Sequence, residues 1–186
     1  MSSATALLVI DVQHGLFVTS PPPAQSVEVI ERINLLTERA RAHAVPVIFI
    51  QHEQASDGLI PGSAAHALDA RLQVTDGDLR IGKTTPDSFL RTPLGDTLNA
   101  LQVKQLVVCG YSTEFCVDST VRRAAGLGYH VTIAADAHTA HDKPHASGEA
   151  IRRHHNATLP AISSFGVRIA AIDSAAIGFR AGALAA

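Results

Sequence analysis

Residues 106–109, Leu-Val-Val-Cys, form an apolar run with no polar alternation, which a folded chain hides most readily in a strand covered on both faces. Beyond it, Val117, Val121, Ala124 and Ala125 recur at helical spacing until Gly126 and Gly128 end the pattern, and Thr113 is available to cap the helix start. A doubly covered strand that leads directly into a helix is the repeating unit of a parallel sheet. The same unit recurs along the chain. An apolar run over residues 7–10 ends at Asp11, and Val27, Ile30, Ile33, Leu36 and Ala40 then form one stripe of a helix reaching about His43. Further strands are predicted at residues 45–50, 79–82, 129–134 and 167–172, with helices at residues 94–101 and 143–156 and a short one after Asp173. Residues 52–78 carry Gly, Pro, Ser and Asp without sustained periodicity, apart from a short helix expected around residues 64–72. The expectation is a three-layer α/β/α domain over residues 1–186, with a mainly parallel, six-stranded, Rossmann-like sheet.

Bulk properties narrow the partners. With 186 residues and 46% apolar content, the chain is long enough for one substantial core. A net charge of −2, with the 15 Lys and Arg scattered, supplies no basic field for nucleic acid. The opening MSSATALLVIDVQ has no basic leader and its apolar run breaks at Asp11, so neither a signal peptide nor a membrane span is expected. Two cysteines make no disulfide framework, which suits a reducing cytoplasm. The Pro21-Pro22-Pro23 run stiffens the loop after the first strand.

Cys116 falls in the predicted first helical turn, where free backbone N–H groups and the helix dipole favour a thiolate. A free cysteine is otherwise a small buried hydrophobe, a description that fits Cys109 inside its strand. Cys116 differs in being flanked by Thr113, Glu114 and Asp118 at the carboxyl end of a strand, where open α/β sheets place ligands. Asp11 ends the first strand and Lys83 the third, so all three residues project from one edge of a parallel sheet. A lone Asp or Lys at a strand end is as a rule a surface or capping residue; three together make chemistry. Asp11 can take the thiol proton, Lys83 can stabilise both anions, and the sulfur can attack a carbonyl.

Through LLVIDVQHGLF, IGKTTPDSF and VVCGYSTEFCVDSTVRRAAGLGYHVTIAADAHTA, in that order, the sequence resembles the isochorismatase-like cysteine hydrolase superfamily over residues 5–173. The resemblance implies an amidase or related hydrolase whose Asp, Lys and Cys triad falls on Asp11, Lys83 and Cys116. It also implies a cis peptide between Tyr111 and Ser112, with the backbone N–H groups of Ser112 and Cys116 forming the oxyanion hole. A homo-oligomer, a dimer or larger, is implied as well, and the apolar tail over residues 177–186 is a candidate to help it associate.

In nicotinamidases, one branch of that family, an Asp-x-His pair and a further His bind a metal; this sequence reads Gln51-His52-Glu53 at that position. No metal and no cofactor are therefore expected, and His52, Glu53 and His66 read as hydrogen-bonding side chains. His141 with His145, and the neighbours His154 and His155, read as polar packing. His138 either reaches the pocket rim or holds its own loop. Among 6 Phe and 2 Tyr, Phe17, Tyr111 and Phe115 cluster near the triad as pocket candidates, and Phe89 reads as core.

The leading expectation is a cofactor-independent amidase that cleaves a small-molecule amide or ureido C–N bond through a thioester on Cys116. Vinyl ether hydrolysis of the isochorismatase type is the enzymatic alternative, although that reaction needs no cysteine; a non-catalytic binding protein is the other. Gly-x-Gly-x-x-Gly, Walker and serine-elbow motifs are all missing.

Overall fold

A computed structural model describes residues 4–179 of the chain. Six strands form one sheet: β1 (Ala4–Ile10), β2 (Val47–His52), β3 (Leu79–Lys83), β4 (Val103–Tyr111), β5 (His130–Thr139) and β6 (Ile169–Ile172). Their order is β3-β2-β1-β4-β5-β6, and every pairing is parallel. The expected α/β architecture is present, with a sheet that is parallel throughout. The order reverses between β1 and β4, and in open α/β sheets the crevice at such a switch point holds the ligand.

Alternation along each strand sends side chains to two covered faces. Leu8, Ile10, Ile48, Ile50, Ile81 and Val108 pack on one face with Leu94 and Leu98 of α3 (Leu94–Ala100) and with Val121, Ala124 and Ala125 of α4 (Asp118–Gly126). Leu7, Val9, Phe49 and Cys109 face the other way, against Val29, Ile30, Ile33, Leu36 and Ala40 of α2 (Ser26–Ala42), the helix that the apolar stripe predicted. A four-residue helix, α1 (His14–Phe17), follows β1, and α5 (Gly148–Thr158) lies beside β5. Fully burying one such aliphatic side chain contributes about 1.5–3 kcal/mol, so the two faces together hold the sheet against its chain entropy. Among the described residues, no helix is long and apolar enough to cross a membrane.

Several boundaries differ from expectation. Residues 64–72 are not helical: the Ala65 and Ala67 carbonyls accept from the Gly15 and His14 N–H groups, and the Asp69 N–H donates to Val12 O. The loop after β1 thus takes the groups that a helix would have used. Lys143 and Ala146 close a turn of their own, so α5 begins only at Gly148, where the Ser147 hydroxyl accepts from the Ala150 N–H. β5 runs five residues past its predicted end because it bulges between its pairings with Val108 and Gly110, bringing His138 opposite Gly110. After Asp173 the expected short helix is present as a three-residue 3-10 helix, Ser174–Ala176. Most of the apolar tail named above, residues 180–186, lies outside the described residues.

Candidate active site

Asp11 stands one residue past β1 with φ of 50°, a left-handed conformation that Asp tolerates better than most residues. Its N–H still donates to Ile50 O at 2.9 Å, so the strand pairing holds while the side chain turns out of the strand. Lys83 ends β3 on the same face as Ile81, in register with His52 on β2. Cys116 comes from beyond β4, where Gly110 has φ of 115° and a Cβ would collide with the Ile10 backbone; only glycine lets β4 lie this close to β1 here. The Tyr111–Ser112 peptide bond is cis.

Residues Thr113–Val117 form a wide π turn, with the Val117 N–H donating to Ser112 O, and α4 continues from it. The cap at its start is Ser112, with extended backbone, and no side chain bonds there. Thr113, expected as the cap, instead makes a 2.8 Å hydrogen bond to His138 Nδ1, since its hydroxyl faces a buried ring with an open acceptor.

The three residues meet. The Lys83 ammonium is fully buried and donates to Asp11 Oδ2 at 2.7 Å, Cys116 Sγ at 3.2 Å and His52 Nδ1 at 3.0 Å. Among the described residues Asp11 Oδ1 is buried without a hydrogen-bond partner, which leaves a carboxylate oxygen open to receive a proton. Burial, reinforced by the Asp11 charge and only partly opposed by Lys83, pushes the Cys116 thiol up to about 12. The surroundings therefore favour the thiol, against the thiolate expected from the helix start. Removal from water and a neighbouring carboxylate outweigh the turn dipole.

The other candidates divide by depth. Phe17 is buried and meets Tyr111 edge-on at 5.7 Å, and the half-buried Tyr111 bonds through its hydroxyl to His141 Nδ1 at 2.8 Å. Phe115 is 54% exposed, with Lys143 Nζ 5.4 Å from its ring centre, so it is the member of this group that reaches open solvent. His138 is wholly buried and follows the loop-holding reading: Nδ1 faces Thr113, and Nε2 lies 2.8 Å from Asn156 Oδ1. Asn156 donates in turn to Ala135 O, so the ring must donate to it from Nε2 and accept from Thr113 at Nδ1. Burial holds this ring neutral, lowering its pKa to about 4. Phe89 packs on Tyr129 at 5.8 Å, and His155 lies 3.9 Å from Asp118.

Ligand atoms of Asp11, His52 and Cys116 lie within 4.8 Å of one another, a spacing that suits one cation, and the Lys83 ammonium already bonds to all three. Both His52 nitrogens are engaged, the second by Gln54 Oε1 at 2.9 Å, and Gln51 donates its amide to His66 O. Among Asp11, His52 and Cys116, the lysine ammonium thus occupies the place a cation would take. Sequence reasoning placed His52 as a hydrogen-bonding residue but did not find its partner, because the partner is set by the β2–β3 register. Asn156, a helical residue far along the chain, carried no signal at all.

The family model of the isochorismatase domain matches residues 5–164. A streptothricin hydrolase of Streptomyces noursei is 34% identical over 76% of this chain, which spans about half (51%) of that protein. Nicotinamidase 3 of Arabidopsis thaliana is 27% identical over 73% of each chain. A crystal structure described as an isochorismatase family protein superposes with a TM-score of 0.84 at 31% identity, covering 91% of this chain and 98% of the other. With the family model matched over most of its length and the same all-parallel α/β fold, this chain belongs to the isochorismatase family.

Proposed function

We propose that this chain is a cofactor-independent cysteine hydrolase that cleaves the C–N bond of a small-molecule amide or ureido compound. One observation carries the reading: a buried ammonium bridges a carboxylate and a thiol, and the carboxylate keeps one oxygen unpartnered. As Cys116 Sγ attacks the carbonyl carbon, its proton passes to Asp11 and the C=O pair moves onto oxygen, where the Ser112 and Cys116 N–H groups receive it. When the tetrahedral adduct collapses, the C–N bond breaks and Asp11 returns the proton to the departing ammonia or amine. Water then hydrolyses the thioester with Asp11 as base. Because burial and the Asp11 charge favour the thiol, proton removal and attack are coupled, and Lys83 holds the charges that appear. Two relatives whose names denote hydrolysis of streptothricin and of nicotinamide support this substrate class.

The test is ammonia release from a panel of primary amides and ureido compounds, wild type against Cys116→Ala. Turnover by the wild type with a loss of at least about a thousandfold in the variant is expected. Equal turnover by both proteins would end the scheme.

A further inference from the structure

We infer that His52 is a positioning residue of this site: its neutral imidazole takes the third proton of the Lys83 ammonium and fixes that charge between Asp11 and Cys116. An ammonium has three N–H donors and no acceptor, and the Lys83 side chain is fully buried, so each proton needs a protein partner. Asp11 and Cys116 supply two, and His52 Nδ1 at 3.0 Å supplies the third. Without the third, one N–H of a fully buried ammonium is left unsatisfied, and Nζ shifts toward another acceptor, which changes its distance and angle to the sulfur.

The tautomer follows from the donor. Because Lys83 can only donate, Nδ1 must accept, and the ring proton sits on Nε2, facing Gln54 Oε1 at 2.9 Å. From there Gln54 donates to Ser56 Oγ and Ser56 to Asp57 Oδ1, each at 3.0 Å. Every donor in this chain points away from the lysine, and the chain ends on a carboxylate, so each bond polarises the next in one direction. A glutamine amide passes no proton under these conditions; the chain orients the ring. The His52 backbone is clamped as well, its N–H donating to Gln13 Oε1 at 2.8 Å and its carbonyl accepting from Gln13 Nε2 at 3.0 Å, and Gln13 is wholly buried. A residue held at both backbone and ring is built to aim one lone pair.

The inference rests on the reading of Cys116 as nucleophile, but its test needs no substrate. The rate of Cys116 alkylation by iodoacetamide at pH 9, followed by intact mass, reads the lysine–sulfur geometry directly; Cys109 is fully buried and does not compete. His52→Phe keeps the ring volume and deletes the acceptor, whereas His52→Asn restores an acceptor near the Nδ1 position. Slowing of at least about threefold in His52→Phe is expected, with His52→Asn within about 1.5-fold of wild type. A histidine that merely packs would lower the melting temperature without separating Phe from Asn. Equal alkylation by all three proteins, or equal slowing in both variants, overturns the inference. If His52→Phe does not fold, Gln54→Leu takes its place: unpinning the ring must slow alkylation, and an unchanged rate overturns the inference as well. On any amide turned over by the wild type, His52→Phe must lower kcat while leaving KM within about twofold. An empty amide panel would sink the proposed reaction and leave the alkylation result standing.

Discussion

Acidification should destabilise this fold through one ring. His138 is wholly buried and neutral, with its pKa lowered from 6.5 to about 4 by removal from water. The direction follows from proton uptake: between these two values the unfolded chain takes up a proton here that the folded chain refuses. Stability therefore falls as the pH drops through 6.5 and levels off below about 4. At 1.36 kcal/mol per unit, the ceiling is about 3 kcal/mol, of which about 2 kcal/mol is lost between pH 7 and pH 5. The ring is completely buried, so solvent screening removes little of this. Urea unfolding at pH 7 and pH 5 measures the loss, and His138→Gln is the control, because an amide keeps a donor for Asn156 and an acceptor for Thr113 but does not titrate. His141, whose pKa is also lowered, chiefly by burial, contributes equally to both proteins. The wild type should lose about 2 kcal/mol more than His138→Gln over that interval. Equal losses in the two proteins would refute the reasoning, because the ring would then not be held neutral by the fold. The measurement bears on the site too, since His138 braces Thr113 at the start of the turn that carries Cys116.

Lys83→Met should cost about 3–5 kcal/mol by leaving the buried Asp11 carboxylate unpaired, and Asp11→Asn in that background should recover part of the loss; single and double variants with equal urea midpoints would contradict this. Gly110→Ala should lose at least about 2 kcal/mol, because φ of 115° and the Ile10 backbone both exclude a methyl group, and an unaltered melting temperature would refute it.

How far the sequence could be read depended on the range of the interaction behind each feature. The α2 stripe and the run at residues 106–109 were legible because burial on one face repeats at the period of the backbone itself. Asp11, Lys83 and Cys116 were legible as strand-end residues, since a parallel sheet gathers such positions at one edge whatever the loops between them do. Resemblance to a known family then selected the same residues. Residues 64–72 depart from the helix their composition suggests because their carbonyls are taken by the loop after β1, a contact with no local trace.

The protonation of the site was also beyond local reading. Position at a helix start suggested a thiolate, but burial and the Asp11 carboxylate, both products of packing, reverse that preference. His52 on β2 and His138 on β5 make the same point: one aims the lysine and the other braces the cysteine turn. By itself the sequence determined the alternation of strands and helices and the edge at which polar residues collect, because both follow from short-range periodicity. Tertiary structure alone decided which side chains face one another and in what charge state, because register, bulges and exclusion of water arise only when distant segments pack.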